Sequence, residues 1–303
     1  MLTSEIIKAK AKEWGADLCG IGDIKYFEGC DPHRDPKQVC PKAKCVIGFG
    51  FRVPRSLYKG MARGNQYYNY TMMGVKNIDE EISEIFLLRM AGLIEDQGYD
   101  ACIHRNVSNL RIKGDKSTNP EVIYTYELEF TEPVAPGLPE PDIILDFPEC
   151  ARSCGLGSIS CKGNVLTPEY GPFVRFVFLV TDAPLECDAP FEGNLCDGCD
   201  ECKKACPGHA ITEEGLDTWQ CAVYYRGAHK SNPFIKDMDS FLKDWPDREA
   251  ILNGDKRFTP EEAKKIFPEL DFLPYSPHLY TPCVCGKACD IACYNHLKGS
   301  KEV

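Results

Sequence analysis

Two periods of apolar spacing organise the chain. SEIIKAKAKEW repeats at helical spacing and predicts a helix over residues 4–14. Ala16 to Ile24 reads as a short strand. CVIGFGFRV, 45–53, is an unbroken apolar run of strand-forming residues, the signature of a buried strand. A polar, tyrosine-rich loop follows, GNQYYNYT at 64–71. Asn77 is then expected to cap a long helix. Ile78, Ile82, Ile85, Phe86 and Leu93 form its apolar stripe, and Gly98 is its stop. EVIYTYELEF, 121–130, alternates, with Val122, Tyr124, Tyr126, Leu128 and Phe130 on one strand face. TEPVAPGLPEP, 131–141, is a proline-rich loop. Residues 147–154 predict a short helix closed by Gly155, and Phe173 to Thr181 another strand.

The pattern changes near residue 185. Strand alternation stops, cysteines crowd together and short helices take over. One helix is well marked: Thr259, Pro260 and Glu262 supply an N-cap, a first-turn proline and a capping box for TPEEAKKIF. The chain is therefore divided into an α/β (α+β) domain, 1–185, and a small, mainly helical, cysteine-rich domain, 186–303. Its 303 residues suffice for two modest cores.

Composition narrows the chemistry. Apolar residues make up 43%, and no apolar run approaches the roughly 20 residues of a membrane span. Phe173 to Val180 comes nearest and is broken by Arg175. The N-terminus reads as an amphipathic helix start without the apolar core of a signal peptide, so a cytoplasmic location is expected. The net charge of −11 disfavours a phosphate-backbone partner. Lys203-Lys204 and Lys264-Lys265, the densest basic stretches, sit among acids. Eighteen cysteines in a chain of this kind speak for metal or cluster chemistry rather than disulfides.

The cysteine spacing is specific. Cys196, Cys199, Cys202 and Cys206-Pro207 match C-x2-C-x2-C-x3-C-P. In two-cluster ferredoxins the first three thiolates of this run hold one 4Fe–4S cluster and the fourth holds the other. One cluster then lacks a ligand and the other lacks three. The chain supplies Cys221 in DTWQCAVYY and Cys283, Cys285, Cys289 and Cys293 in CVCGKACDIACYN. The competing reading is structural zinc, which prefers separated C-x2–4-C pairs. Tyr294 departs from the ferredoxin pattern, since proline usually follows the last cysteine. The remaining cysteines are expected to be small buried hydrophobes. Cys150, Cys154 and Cys161 bracket a glycine-rich loop of interest.

The first domain lacks the common cofactor fingerprints. IGFGFRV has Gly48 and Gly50 but Val53 at the third glycine position, and KGDKST lacks the phosphate-loop spacing. DPHRDP has Pro36 where a corrinoid-binding D-x-H-x-x-G would have glycine, so His33 reads as a surface loop residue. The informative stretch is ARSCGLGSISCKGNVLTPEYGPFVRFVFLVTDAPLE, 151–186. Gly155, Gly157 and Gly163 would let backbone approach a flat ligand. Pro168 and Pro172 stiffen the turn around Tyr170 and Gly171. Arg175 is a candidate to hold an anionic group.

This stretch, followed by the cysteine groups, resembles the epoxyqueuosine reductase and reductive dehalogenase superfamily. GLG, LTPEYGP and TDAPL look most like the dehalogenase side, and GADLCGIGDI and GYDACIH also fit. The resemblance implies a nitroreductase-like α/β domain binding a base-off cobamide (a cobalamin-type corrinoid), then a ferredoxin-like domain with two 4Fe–4S clusters. It places Gly155, Leu156, Gly157, Ser158, Gly163, Pro168, Tyr170, Gly171 and Thr181 at the corrinoid. Ligand counting together with the resemblance assigns Cys196, Cys199, Cys202 and Cys293 to cluster one. Cluster two takes Cys206, Cys221, Cys285 and Cys289, with Cys283 in reserve for Cys285.

The implied chemistry is reductive, with a protein acid delivering a proton. Tyrosine serves in the dehalogenases and aspartate in the queuosine enzyme, so the candidates here are Tyr124, Tyr126 and Asp142. Asp142 stands one residue out of register, and PDIILDFPECA does not reproduce the D-x-x-P of the queuosine enzyme. The expected function is a corrinoid-dependent, dehalogenase-like oxidoreductase acting on a small molecule. A low-potential donor such as a ferredoxin or flavodoxin would feed it. The alternatives are epoxyqueuosine reduction on tRNA and a two-cluster electron-transfer or activator protein without corrinoid.

Overall fold

A computed structural model describes residues 2–106, 111–112, 128–129, 133, 135–138, 143–271 and 281–299. In chain order its main elements are α1 (Ser4–Glu13), β1 (Leu18–Asp23), β2 (Cys45–Arg52), α2 (Arg55–Ala62), α3 (Ser83–Glu95), β3 (Ala101–His104), α4 (Phe147–Ser153) and β4 (Val174–Thr181). Then come α5 (Glu201–Ala205), α6 (Thr218–Tyr225), α7 (Arg248–Asn253), α8 (Pro260–Leu270) and α9 (Ala288–Leu297). The chain divides into two units. The first is Met1–Arg52, Ile78–Ser158 and Val174–Asn194; the second is Val53–Asn77, Ile159–Phe173 and Leu195–Val303. The cut drawn at 185 falls inside the last segment of the first unit.

The first unit is built on a four-stranded sheet in the order β1-β2-β4-β3, antiparallel throughout. This makes the unit a mixed α and β structure. Leu18 pairs with Gly50, and Arg52 with Val174. β2 and β4 are buried along almost their whole length because both sheet faces are covered. On one face Phe49 and Phe51 meet Phe86 of α3 edge-on, at 4.8 and 5.2 Å between centroids. One position along β2, hence on the other face, a Cβ at Gly48 would touch Leu156 and Phe178, and Phe178 meets Phe147 of α4. Gly20 lets β1 lie against the end of α4: a Cβ there would stand 2.0 Å from the Cys154 carbonyl oxygen.

The expected loop at 64–71 and the Asn77 cap are replaced by helix. Gln66, left-handed at φ 67°, precedes a helical turn at Tyr67–Thr71. π-Helical turns follow at Met72–Lys76 and Ile78–Ile82, and Asn77 is itself helical. Each wide turn takes an extra residue and rotates the face that follows. The apolar stripe therefore shifts: Phe86, Leu87, Met90 and Ile94 are buried, whereas Ile82 and Ile85 are exposed. Gly98, at φ 83°, follows the helix as expected. Of the alternating stretch 121–130, Leu128–Glu129 pairs with Arg111–Ile112, and the rest lies outside the described residues.

The second unit is mainly helical around a polar stitch. Gln220 of α6 is fully buried. Its amide donates to the carbonyls of Gly208 (2.8 Å) and Lys256 (2.9 Å), and its oxygen accepts from Phe258 N–H. α8 carries the expected capping box between Thr259 and Glu262. Tyr58 of α2 stacks on Phe173 at 3.9 Å, and Tyr294 of α9 meets both rings. That contact accounts for Tyr294 in place of proline: the helix continues through it to Leu297, where a ring without an N–H would break it. No helix among the described residues is long and apolar enough to cross a membrane.

Candidate metal centre

The second unit gathers the predicted ligands. α5 packs against α9, which brings Cys202 to Cys293. Left-handed turns at Gly198 and Asp200 fold the preceding loop back, and Asp197 accepts from Cys199 N–H at 3.2 Å. Cys196, Cys199, Cys202 and Cys293 thereby line one cavity of about 280 Å³. Burial pushes the Cys293 thiol up to about 12, and Cys202 and Cys196 are among the charges it meets.

A fifth thiol lines the same cavity. Cys161 Sγ lies 3.9 Å from Cys202 Sγ, and its backbone N–H donates to Cys196 Sγ at 3.4 Å. Burial, then the Cys202 and Cys196 charges, lifts this thiol to about 12. Its spacing fits no ligand motif, so only the fold reveals its place. His296 reaches the cavity as well, with Nε2 2.8 Å from Asp197 Oδ2. Donor atoms of Asp197, Cys199 and His296 all lie within 4.8 Å of one another, a spacing that could also hold a single metal ion.

The second set also converges. Cys202 and Cys206 pack with Ala210 and Ile211, and Cys221 and Cys289 lie against that group. Ala210 N–H donates to Cys206 Sγ at 3.3 Å. Burial raises Cys221 to about 12, with Cys285 and Cys206 among the neighbouring charges. Cys289 is raised by burial, with Asp290 and Cys285 adding to the rise. Cys283 is fully buried with Sγ 3.6 Å from Cys285 Sγ. Cys285 is among the charges that reach both Cys221 and Cys289. The donor chemistry of both sets, four thiols each and a backbone N–H aimed at one sulfur in each, fits 4Fe–4S clusters.

The other expected site residues are scattered among packing roles. Gly155, at φ 73°, presents its open side to the Ala189 carbonyl, where a Cβ would sit at 2.7 Å. Leu156 fills the space beside Gly20 and Gly48. Gly157 and Ser158 are buried, and Thr181 is fully buried with its hydroxyl accepting from Ala183 N–H. In the second unit Gly163 turns the Ser160–Asn164 loop. Pro168 and Tyr170 belong to the turn closed by the Thr167–Gly171 bridge, and Gly171 faces Tyr294. These contacts are made by chain against chain within each unit. Arg175 is committed to Asp79, a buried carboxylate that receives Nε at 2.9 and 3.1 Å and Nη2 as well. Tyr124, Tyr126 and Asp142 lie outside the described residues. Cys150 and Cys154 are buried in the first unit, and Cys154 Sγ donates to the Val46 carbonyl.

Comparison with known proteins supports the resemblance. No family model matches the chain. Tetrachloroethene reductive dehalogenase of Sulfurospirillum multivorans is 35% identical over 100 residues, 32% of this chain and 20% of that protein. Epoxyqueuosine reductase of Synechococcus sp. (strain CC9605) is 31% identical over 96 residues, 31% of this chain and 30% of that protein. The chain thus spans under a third of the length of these relatives, both of which are named as reductases. Among solved structures, an epoxyqueuosine reductase with an epoxyqueuosine-modified tRNA stem loop is 15% identical with a TM-score of 0.46, covering 97% of this chain and 81% of that one.

Proposed function

We propose that this chain is an iron–sulfur reductase of the epoxyqueuosine kind, holding two 4Fe–4S clusters and acting on a modified nucleoside in tRNA. The observation that carries the cluster part is the convergence of Cys196, Cys199, Cys202 and Cys293 on one cavity, from two distant stretches of sequence. Cys206, Cys221, Cys285 and Cys289 would hold the second cluster. When bound, such clusters supply electrons singly at low potential. The chain's own contribution is to hold the sulfurs in place and to aim the N–H groups of residues 161 and 210 at them.

Substrate class follows the relatives rather than the charge. The net charge of −11 put nucleic acid last, but it averages over the whole surface and says nothing of a local site. Relatives named epoxyqueuosine reductase, from Synechococcus sp. (strain CC9605) among others, favour the nucleic-acid reading. A second reading, small-molecule reductive dehalogenation, is favoured by the match to the tetrachloroethene enzyme. The cobamide expected there belongs to this second reading, and cobalt uptake tests it.

The test combines metal analysis with complementation. Protein expressed anaerobically with added hydroxocobalamin is expected to carry about eight irons per chain. It should also restore queuosine in a strain lacking its own reductase. Zinc in place of iron would overturn the cluster assignment. Iron without queuosine would overturn the tRNA substrate; cobalt bound alongside that iron would then move the assignment to the dehalogenase type.

A further inference from the structure

Three charged side chains meet beside the second cysteine set. The Lys162 ammonium bonds Asp290 and lies 3.7 Å from Cys289 Sγ. Lys287 approaches the other oxygen of Asp290 at 3.4 Å. The side chain of Lys162 is 6% exposed and that of Asp290 is 10% exposed, while Lys287 is 31% exposed. Two cations and one anion leave one positive charge over. A buried charge without a partner is costly. Among the described residues the sulfur 3.7 Å from Lys162 is that of Cys289, a thiolate once it ligates a metal, and Lys162 also lines the cavity of the first set.

We infer that Lys162, seconded by Lys287, is a built-in counter-charge to the second cluster, raising its reduction potential so that it accepts an electron more readily than its thiolates alone would allow. The inference rests on the assignment of Cys289 as a cluster ligand. The physical step is one electron passing from a low-potential donor to the cluster. The reduced form carries one more negative charge, and a cation fixed nearby in a poorly screened interior stabilises that form selectively. Lys162 is a positioning residue here, acting through Cys289. α9 adds to the same field, because Cys289 sits in its first turn, at the positive end of the helix.

The full chain, loaded anaerobically, is titrated by electron paramagnetic resonance against a redox poise, with iron counted in every variant. Cys221→Ala, which removes a ligand of the second set, identifies that cluster's signal. Lys162→Met should load iron fully yet raise the oxidised-to-reduced ratio of the second cluster at least tenfold at the wild-type midpoint, a fall of about 59 mV for one electron. Lys162→Arg should stay within threefold of wild type. Asp290→Asn should move the ratio the opposite way, since it deletes the competing anion. Full iron with both Lys162→Met and Asp290→Asn within twofold of wild type overturns the inference. If Lys162→Met loads poorly, Asp290→Asn decides: a raised potential supports the counter-charge, and an unchanged or lowered one overturns it. Wild-type protein without iron overturns the cluster assignment itself, an outcome visible before any variant is made.

Discussion

His229 shows how one side chain reports its surroundings. It sits 4% exposed in a tight turn, with Nδ1 2.9 Å from the Ser231 hydroxyl. Nε2 meets no hydrogen-bond partner among the described residues, so a second ring proton would be stranded. Burial accordingly lowers the imidazole to about 4 from the usual 6.5. Between those values the unfolded chain takes up a proton that the folded chain refuses. Stability is therefore present above pH 6.5 and is lost as pH falls toward 4, by up to about 3 kcal/mol for this group. Urea midpoints at pH 7, 6 and 5 should fall steeply in the wild type and less in His229→Gln, whose amide does not titrate. Equal slopes would show that the proton enters freely. Sequence spacing made the proposed ligands legible, because a cluster needs thiols at short intervals. It could not reveal Cys161, Lys162, Lys287, Asp290 or His296, whose meaning lies in neighbours contributed by other elements.

Among the elements, legibility followed local signals. α8 announced itself through Thr259, Pro260 and Glu262, and β2 and β4 through apolar runs, since caps and continuous burial are written in adjacent residues. The helix through Asn77 was misjudged because π-helical turns break the regular period on which an apolar stripe is read. The glycine-rich stretch 151–186 was legible as close approach, but what approaches is the chain itself. Gly20 gives the sharpest case. An added methyl there would collide at 2.0 Å with the backbone oxygen of Cys154. That oxygen cannot rotate away as a side chain could, so α4 must lift from β1. Gly20→Ala should lower the unfolding free energy by about 1–3 kcal/mol or more, as overpacking does. A thermal midpoint within about a degree of wild type would mean that the two elements yield easily.

On the scale of the molecule, the two units keep their shape by different means. The first buries apolar strands between Phe86 on one face and Phe147 on the other, and Cys40, Cys45, Cys150 and Cys154 serve as small core residues, whereas Cys30 is exposed. The second lines a cavity with four of its proposed ligands, Cys196, Cys199, Cys202 and Cys293. Where ligands converge without filling the space between them, metal binding contributes folding free energy directly. The stabilities of the two units should then separate when iron is removed. Amide exchange measured on loaded and iron-free protein should show Cys45–Arg52 and Val174–Thr181 protected in both. Glu201–Ala205 and Ala288–Leu297 should lose protection at least tenfold on iron removal, since α5 and α9 carry the thiols that would repel or splay without a cluster. Equal protection of α5 and α9 in both states would mean that their packing alone holds the cavity open. The cysteines would then be placed for a metal that the fold does not need. Exchange that quickened equally in the sheet would instead make the two units one cooperative structure, stabilised throughout by the clusters.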